Sequence, residues 1–154
     1  MTAWSLGYRK SKEKAKRIYS KIGHIKSPAL GDELVAFASA GFNHLVRKGR
    51  IPRTKSEQKR RFALIPYVEK IIKNPKAKIL YERRETKVIR NKHGDKELVQ
   101  SVASFWTFVE KVDDRIIKVV VRQLDTGAPR HFLSVMEDMI KRKKVNKKIK
   151  KPRQ

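Results

Sequence analysis

The chain has 154 residues, enough for one domain with a buried core, and a formal net charge of +25 from 40 Lys and Arg against 15 Asp and Glu, which points to a polyanionic partner. It contains no cysteine, which excludes disulfide stapling, thiolate catalysis and cysteine-ligated zinc. No apolar run approaches the roughly 20 residues of a membrane-spanning helix, and no signal-peptide core follows the N-terminal charges, so a soluble, cytosolic protein is expected.

The charge is concentrated at the ends: residues 1–26 hold eight basic groups against Glu13, and residues 141–154 hold nine with no acid. Three regions follow from this: a basic N-terminal arm or helix (1–26), a compact domain (27–140) and a basic disordered tail (141–154). Within the first, Tyr8, Ala15, Ile18 and Tyr19 among dense cations fit an amphipathic helix over Trp4 to Lys21, lying on the body or on nucleic acid. Ser27-Pro28 through Gly31-Asp32 carries turn residues, and the apolar run from Glu33 to Ser39 predicts a buried strand.

Gly41 turns the chain into a short helix from Phe42 to Lys48, with Phe42, Leu45 and Val46 inward, His44, Arg47 and Lys48 projecting, and Gly49 as its stop. Thr54-Lys55-Ser56-Glu57 has the spacing of a capping box, and Phe62, Ile65, Val68 and Ile72 recur at helical steps. Arg60 and Arg61 lie in the first turns of this second helix, Pro66 is expected to kink it, and Asn74-Pro75 to end it.

From Lys78 the pattern changes to period two. Four antiparallel strands are predicted, with turns at Asn91–Asp95, Asp113-Asp114 and Leu124–Pro129. Helices first and strands afterward argue an α+β domain, its N-terminal helices packed on one face of a four- to five-stranded antiparallel sheet.

Alternation places Ile117, Val119 and Val121 on the core face, with Leu133 and Val135 matching them and His131 on the Leu133 side. Lys118, Arg122, Arg130, Phe132 and Ser134 fall on the other face. With Ile117 opposite Val135, Lys118 would stand opposite Ser134 and Arg122 opposite Arg130, a strip suited to a phosphodiester backbone. Of the adjacent rings Phe105 and Trp106, one belongs to the core, and Trp106 is assigned to base stacking. Metal hydrolysis is disfavoured because the carboxylates are scattered and no His-x-x-x-His or Glu-x-x-His grouping exists; the seven isolated glycines form no phosphate loop.

The strand ending in AGFNHLVRK, the helix containing EQKRRFALIPYVEKII, and the strands ASFWTFV, RIIKVVV and RHFLSVM together resemble the barnase, EndoU, colicin and RelE superfamily of metal-independent ribonucleases, especially its phage and polymorphic-toxin branches. The similarity spans about Glu33 to Met136 and rests on pattern. It implies cofactor-free cleavage of RNA, such as tRNA, by the adjacent 2'-hydroxyl, giving a 2',3'-cyclic phosphate. In that scheme His44 is base or acid, Lys118 and Arg60 stabilise the phosphorane, and Ser134 orients the phosphate or His44. Arg47, Lys48, Arg61, Trp106, Arg122 and Arg130 bind nucleic acid. A monomer is expected, and a toxin would be met by an acidic immunity protein or antitoxin. A noncatalytic RNA-binding module and a DNA-binding accessory protein of a mobile element are the competing expectations.

Overall fold

The structure, a computed structural model, describes residues 2–139, so the predicted C-terminal tail lies outside the described residues. Helix α1 (Ala3–Ile22) is followed by strand β1 (His24–Ser27), a turn of 3-10 helix (Pro28–Leu30), β2 (Glu33–Ala36) and α2 (Ser39–Val46). A two-residue ladder of β3 (Arg47–Lys48) and β4 (Ile51–Pro52) leads to α3 (Lys55–Lys73), and then come β5 (Lys78–Lys92), β6 (Asp95–Val112), β7 (Arg115–Leu124) and β8 (His131–Met139). The molecule is an α+β fold whose main sheet has the order β1-β2-β8-β7-β6-β5, six strands rather than four or five.

The strand expected from Glu33 is β2, shorter than predicted and with Glu33 and Leu34 exposed rather than buried, and β1 before it is the addition. β2 pairs antiparallel with β1 and touches β8 in parallel through the single step Ala36 to His131. The boundary expected after residue 26 therefore runs through β1, whose Ile25 and Ser27 are buried. Ser27 donates its hydroxyl to the Ile72 carbonyl at 3.0 Å, tying the edge strand to the end of α3.

The α1 helix lies on the body. Ala15 and Tyr19 are buried, and the Tyr19 hydroxyl donates to the Ala38 carbonyl at 2.6 Å. Near the helix start Tyr8 packs on Phe62 and donates to the buried Gln58, whose amide in turn donates to the Arg53 carbonyl at 2.8 Å. These bonds satisfy a buried amide at the junction of α1, α3 and the loop before α3.

Thr54 caps α3, accepting from the Glu57 backbone N–H at 3.1 Å, as the sequence spacing predicts. The helix runs unbroken through Pro66, which stands on its exposed side where the missing N–H costs least. Phe62, Leu64, Ile65, Val68, Ile71 and Ile72 are buried against the sheet face carrying Phe108, Ile117, Val119 and Val135. Tyr19, Phe37, Phe42, Phe62 and Phe132 form one aromatic cluster under α2, with Phe37 and Phe132 stacked at 5.2 Å.

Gly41 does not turn the chain; it lies inside α2. A Cβ there would come within 2.5 Å of the Tyr19 hydroxyl and 2.6 Å of the Phe132 carbonyl, so the bare backbone is what lets α2 press onto β8. Gly49 does not cap α2 either. With φ of 64° it sits in the turn between β3 and β4, and Arg47 and Lys48 are extended and exposed rather than helical.

Candidate phosphate-binding cluster

The register between β7 and β8 determines which groups meet. Val119 pairs with Val135 and Val120 with Ser134, two residues from the expected alignment. One step later Val121 pairs with Phe132, so Leu133 is an extra residue and the ladder bulges there. Beyond the bulge the phase of β8 reverses. Phe132 enters the core in place of Leu133, and His131 stands opposite Arg122, where Arg130 was expected.

Arg122 donates from Nε to His131 Nε2 at 3.1 Å, and His131 has a further backbone hydrogen bond to Pro129. Burial and the Arg122 charge hold His131 below the usual histidine range. Its ring is thereby fixed as the holder of Arg122. Arg130 falls on the opposite side, its guanidinium 4.5 Å from the centre of the Trp106 ring and its Nη1 3.4 Å from Glu33. Trp106, assigned to base stacking from the sequence, thus carries a cation on its ring and tilts against Tyr81 at 5.5 Å. Phe105 is buried beneath the Arg84 guanidinium.

At the edge of β8, Arg61 of α3 donates from Nη1 to the Ser134 hydroxyl at 2.8 Å and to the Val135 carbonyl at 3.0 Å. Ser134 is only 2 % exposed, so it orients Arg61 rather than meeting a phosphate itself. Arg53, just before α3, donates from Nε to the His44 carbonyl at 3.0 Å. His44, on the turn of α2 that follows Gly41, is half-buried, and its Nδ1 is buried with no hydrogen-bond partner.

His44 sits in a field of one sign. Burial lowers its pKa to about 4, and the charges of Arg53, Arg61, Arg122 and Lys48 all push in the same direction. Arg53, Arg61 and Arg122 are themselves held below the usual arginine range, chiefly by burial. The carboxylate acting on Arg53 and Arg61 is Glu57, 3.9 Å from Arg61; among the described residues neither His44 nor Arg122 forms an ion pair with an acid. Half-buried guanidinium groups without matching carboxylates are costly, and an anion supplied from outside removes that cost.

Of the residues selected from sequence, Arg61 and Ser134 are bonded to each other, and the charges of Arg61, Arg122 and Lys48 act on His44. Two do not join them. Arg60 projects into solvent, 69 % exposed, 3.9 Å from Glu57. Lys118 pairs with Met136 across the ladder, and its ammonium is 2.6 Å from Asp138, so it already has an anion. Arg47 is exposed on β3, and Arg130 belongs to the Trp106 side. Sequence reasoning missed Arg53 and the placement of His131: the first signalled only by a cation between Pro52 and the Thr54 cap, the second hidden by the bulge.

Among the described residues no group of three His, Asp or Glu side chains is placed to hold a metal ion, and no helix is long and apolar enough to cross a membrane. Compared with protein-family models and with solved structures, the chain matches none of either.

Proposed function

We propose that the chain is a metal-independent endoribonuclease of the toxin type that cleaves structured RNA such as tRNA. The observation carrying this reading is the half-buried imidazole of His44, its Nδ1 without a partner and Arg53 bonded to its carbonyl at 3.0 Å, with the charges of Arg53, Arg61 and Arg122 acting on the ring. In the reaction, Arg61 and Arg122 hold the scissile phosphate and His44 takes the proton of the adjacent 2'-hydroxyl. That oxygen attacks phosphorus, the 5'-oxygen leaves with a proton from water, and a 2',3'-cyclic phosphate remains.

His44 is neutral near pH 7, the state a base requires, although a pKa of about 4 makes it a weak one. A bound phosphodiester offsets the cationic field and returns the ring toward its ordinary range, so the base strengthens when substrate arrives. The surplus positive charge suits RNA and also an acidic immunity protein or antitoxin that would cover the cluster in the cytosol of a producing or target cell.

A noncatalytic RNA-binding role is favoured by one observation: the second imidazole, His131, already accepts from Arg122, which leaves the cluster one free acid–base group. Incubation with total tRNA in EDTA separates the two. Discrete fragments ending in cyclic phosphate are expected, and His44→Ala should lower their rate by at least about 10²-fold with RNA affinity nearly unchanged. Intact RNA held in a tight, salt-sensitive complex would replace cleavage with binding; preference for duplex DNA would replace both.

A further inference from the structure

The β5–β6 hairpin is longer than the sheet it belongs to. β7 ends its ladder with β6 at Ala103 opposite Leu124, and from there Asp125 donates its N–H to Val102. The seven pairs from Thr86–Ser101 to Lys92–Asp95 have no third strand beside them. At about 3.3 Å per residue this is a two-stranded arm on the order of 20 Å long. His93 and Gly94, at φ of 51° and 85°, make its two-residue turn, both residues in the left-handed region that matches strand twist.

A free two-stranded ribbon is marginal in water, so its surface chemistry is informative. Paired residues share a face. On one, Arg90 is bridged to Glu97 at 3.2 Å and Val88 lies opposite Val99. On the other, Lys87 stands opposite Gln100, Ile89 opposite Leu98, and Asn91 opposite Lys96. Lys87 and Lys96 have no ion pair among the described residues, and Ile89 and Leu98 are 52 % and 45 % exposed.

We propose that this second face is a docking surface for double-stranded RNA, which lies along the arm while one strand continues into the His44 cluster. The proposal rests on the RNA reading above and names the form of RNA. The same face continues along β6 through Ser104 to Trp106, beside the core residue Val121 on the side of the sheet that carries the helices, so a stem along it runs toward α2 and its His44.

The duplex follows from composition. Proteins that hold single strands stack bases on aromatic rings, and the seven pairs of the arm contain no Phe, Tyr or Trp. Duplex RNA is held by phosphate and 2'-hydroxyl contacts across a wide, shallow minor groove. A ribbon face with two ammonium groups at its corners, the Asn91 amide, a Gln100 amide that donates to Glu85 at 2.8 Å, and a small apolar pair between them fits that surface.

Binding separates this inference from cleavage. In a His44→Ala background, which keeps the RNA intact, affinities are measured for an RNA duplex of about 16 base pairs, one of its strands alone, and the same duplex as DNA. RNA duplex should bind more tightly than either. Lys87→Gln with Lys96→Gln should weaken RNA duplex binding about tenfold near 0.1 M salt and reduce the slope of log K against log salt by about 1.8. Single-strand binding should change by less than about twofold, since its contacts lie elsewhere. Arginine at both positions should restore affinity, and the far-UV spectrum should be unaltered.

Equal loss for duplex and single strand, no loss for either, or DNA held as tightly as RNA would overturn the proposal. A chain that cleaves RNA yet ignores these two lysines would lose the arm alone; one that cleaves nothing yet shows the duplex effect would lose only the nuclease.

Discussion

Two populations of cations divide this molecule. On the outer sheet and the helix surface they are solvated, and several stand next to acids: Lys118 with Asp138, Arg115 with Glu137, Lys73 with Glu69, Arg83 with Asp125. Around His44 the cations are more deeply buried and less paired, Glu57 being the carboxylate that acts on Arg53 and Arg61. A net charge spreads readily over solvent, but the same charge confined under helices raises the energy of the folded state. The contrast separates charge that serves solubility and general affinity from charge arranged around a ligand.

The sharpest way to break the contrast is to remove an inner cation. Arg122→Met should lower RNA cleavage by about 10²-fold or more while leaving stability unchanged or raising it by about 1 kcal/mol, because an apolar side chain of similar length ends the cost of the lone buried charge. Thermal melts beside cleavage assays read both. A fall in stability of several kcal/mol would mean that Arg122 is held by the fold for its own sake through His131.

A smaller effect concerns pH. The folded-state pKa of His44, about 4, lies below the ordinary 6.5, so the unfolded chain binds the extra proton between those values. Stability from this ring is therefore complete above about pH 6.5 and is lost as pH falls toward 4, with His131 shifted in the same direction. For a half-buried ring screened by solvent, the change is about 1 to 2 kcal/mol. Urea melts from pH 7 to pH 4 should show the loss, and His44→Ala should remove most of it. Inorganic phosphate should flatten the dependence by raising the His44 pKa in the folded state.

The smallest effect is expected outside. Lys118→Gln breaks an exposed pair, so it should cost under about 1 kcal/mol and change cleavage less than about twofold. A loss comparable with that of Arg122→Met would return Lys118 to the reaction and erase the distinction between the two populations.

Much of the fold was legible. The Thr54 cap, the spacing of Phe62, Ile65, Val68 and Ile72, and the turn residues of the meander predict α3 and four strands because each signal is local. The apolar run from Glu33 showed β2, but β1 was harder, since a four-residue strand at a sheet edge carries little periodicity. Gly41 reads as a turn in sequence; only the nearness of Tyr19 and Phe132 reveals a packing constraint. His44 was recognisable from its cationic neighbours. That Lys118 and Arg60 stand apart from it while Arg61 turns inward was not, because this depends on a register slip of two and on which side of a helix faces the sheet.

Leu133 has a further consequence for anyone rebuilding this sheet. Pairing it in a regular ladder would set Leu133 opposite Val121 and Phe132 opposite Arg122, carrying His131 to the other side, leaving Arg122 without its acceptor and presenting a polar ring to the aromatic interior; deleting it would keep Phe132 opposite Val121 and His131 opposite Arg122. A graft of the cluster onto another antiparallel framework must therefore keep Leu133 together with its bulge or omit both, since this strand paired residue for residue would exchange the sides of the imidazole and Phe132.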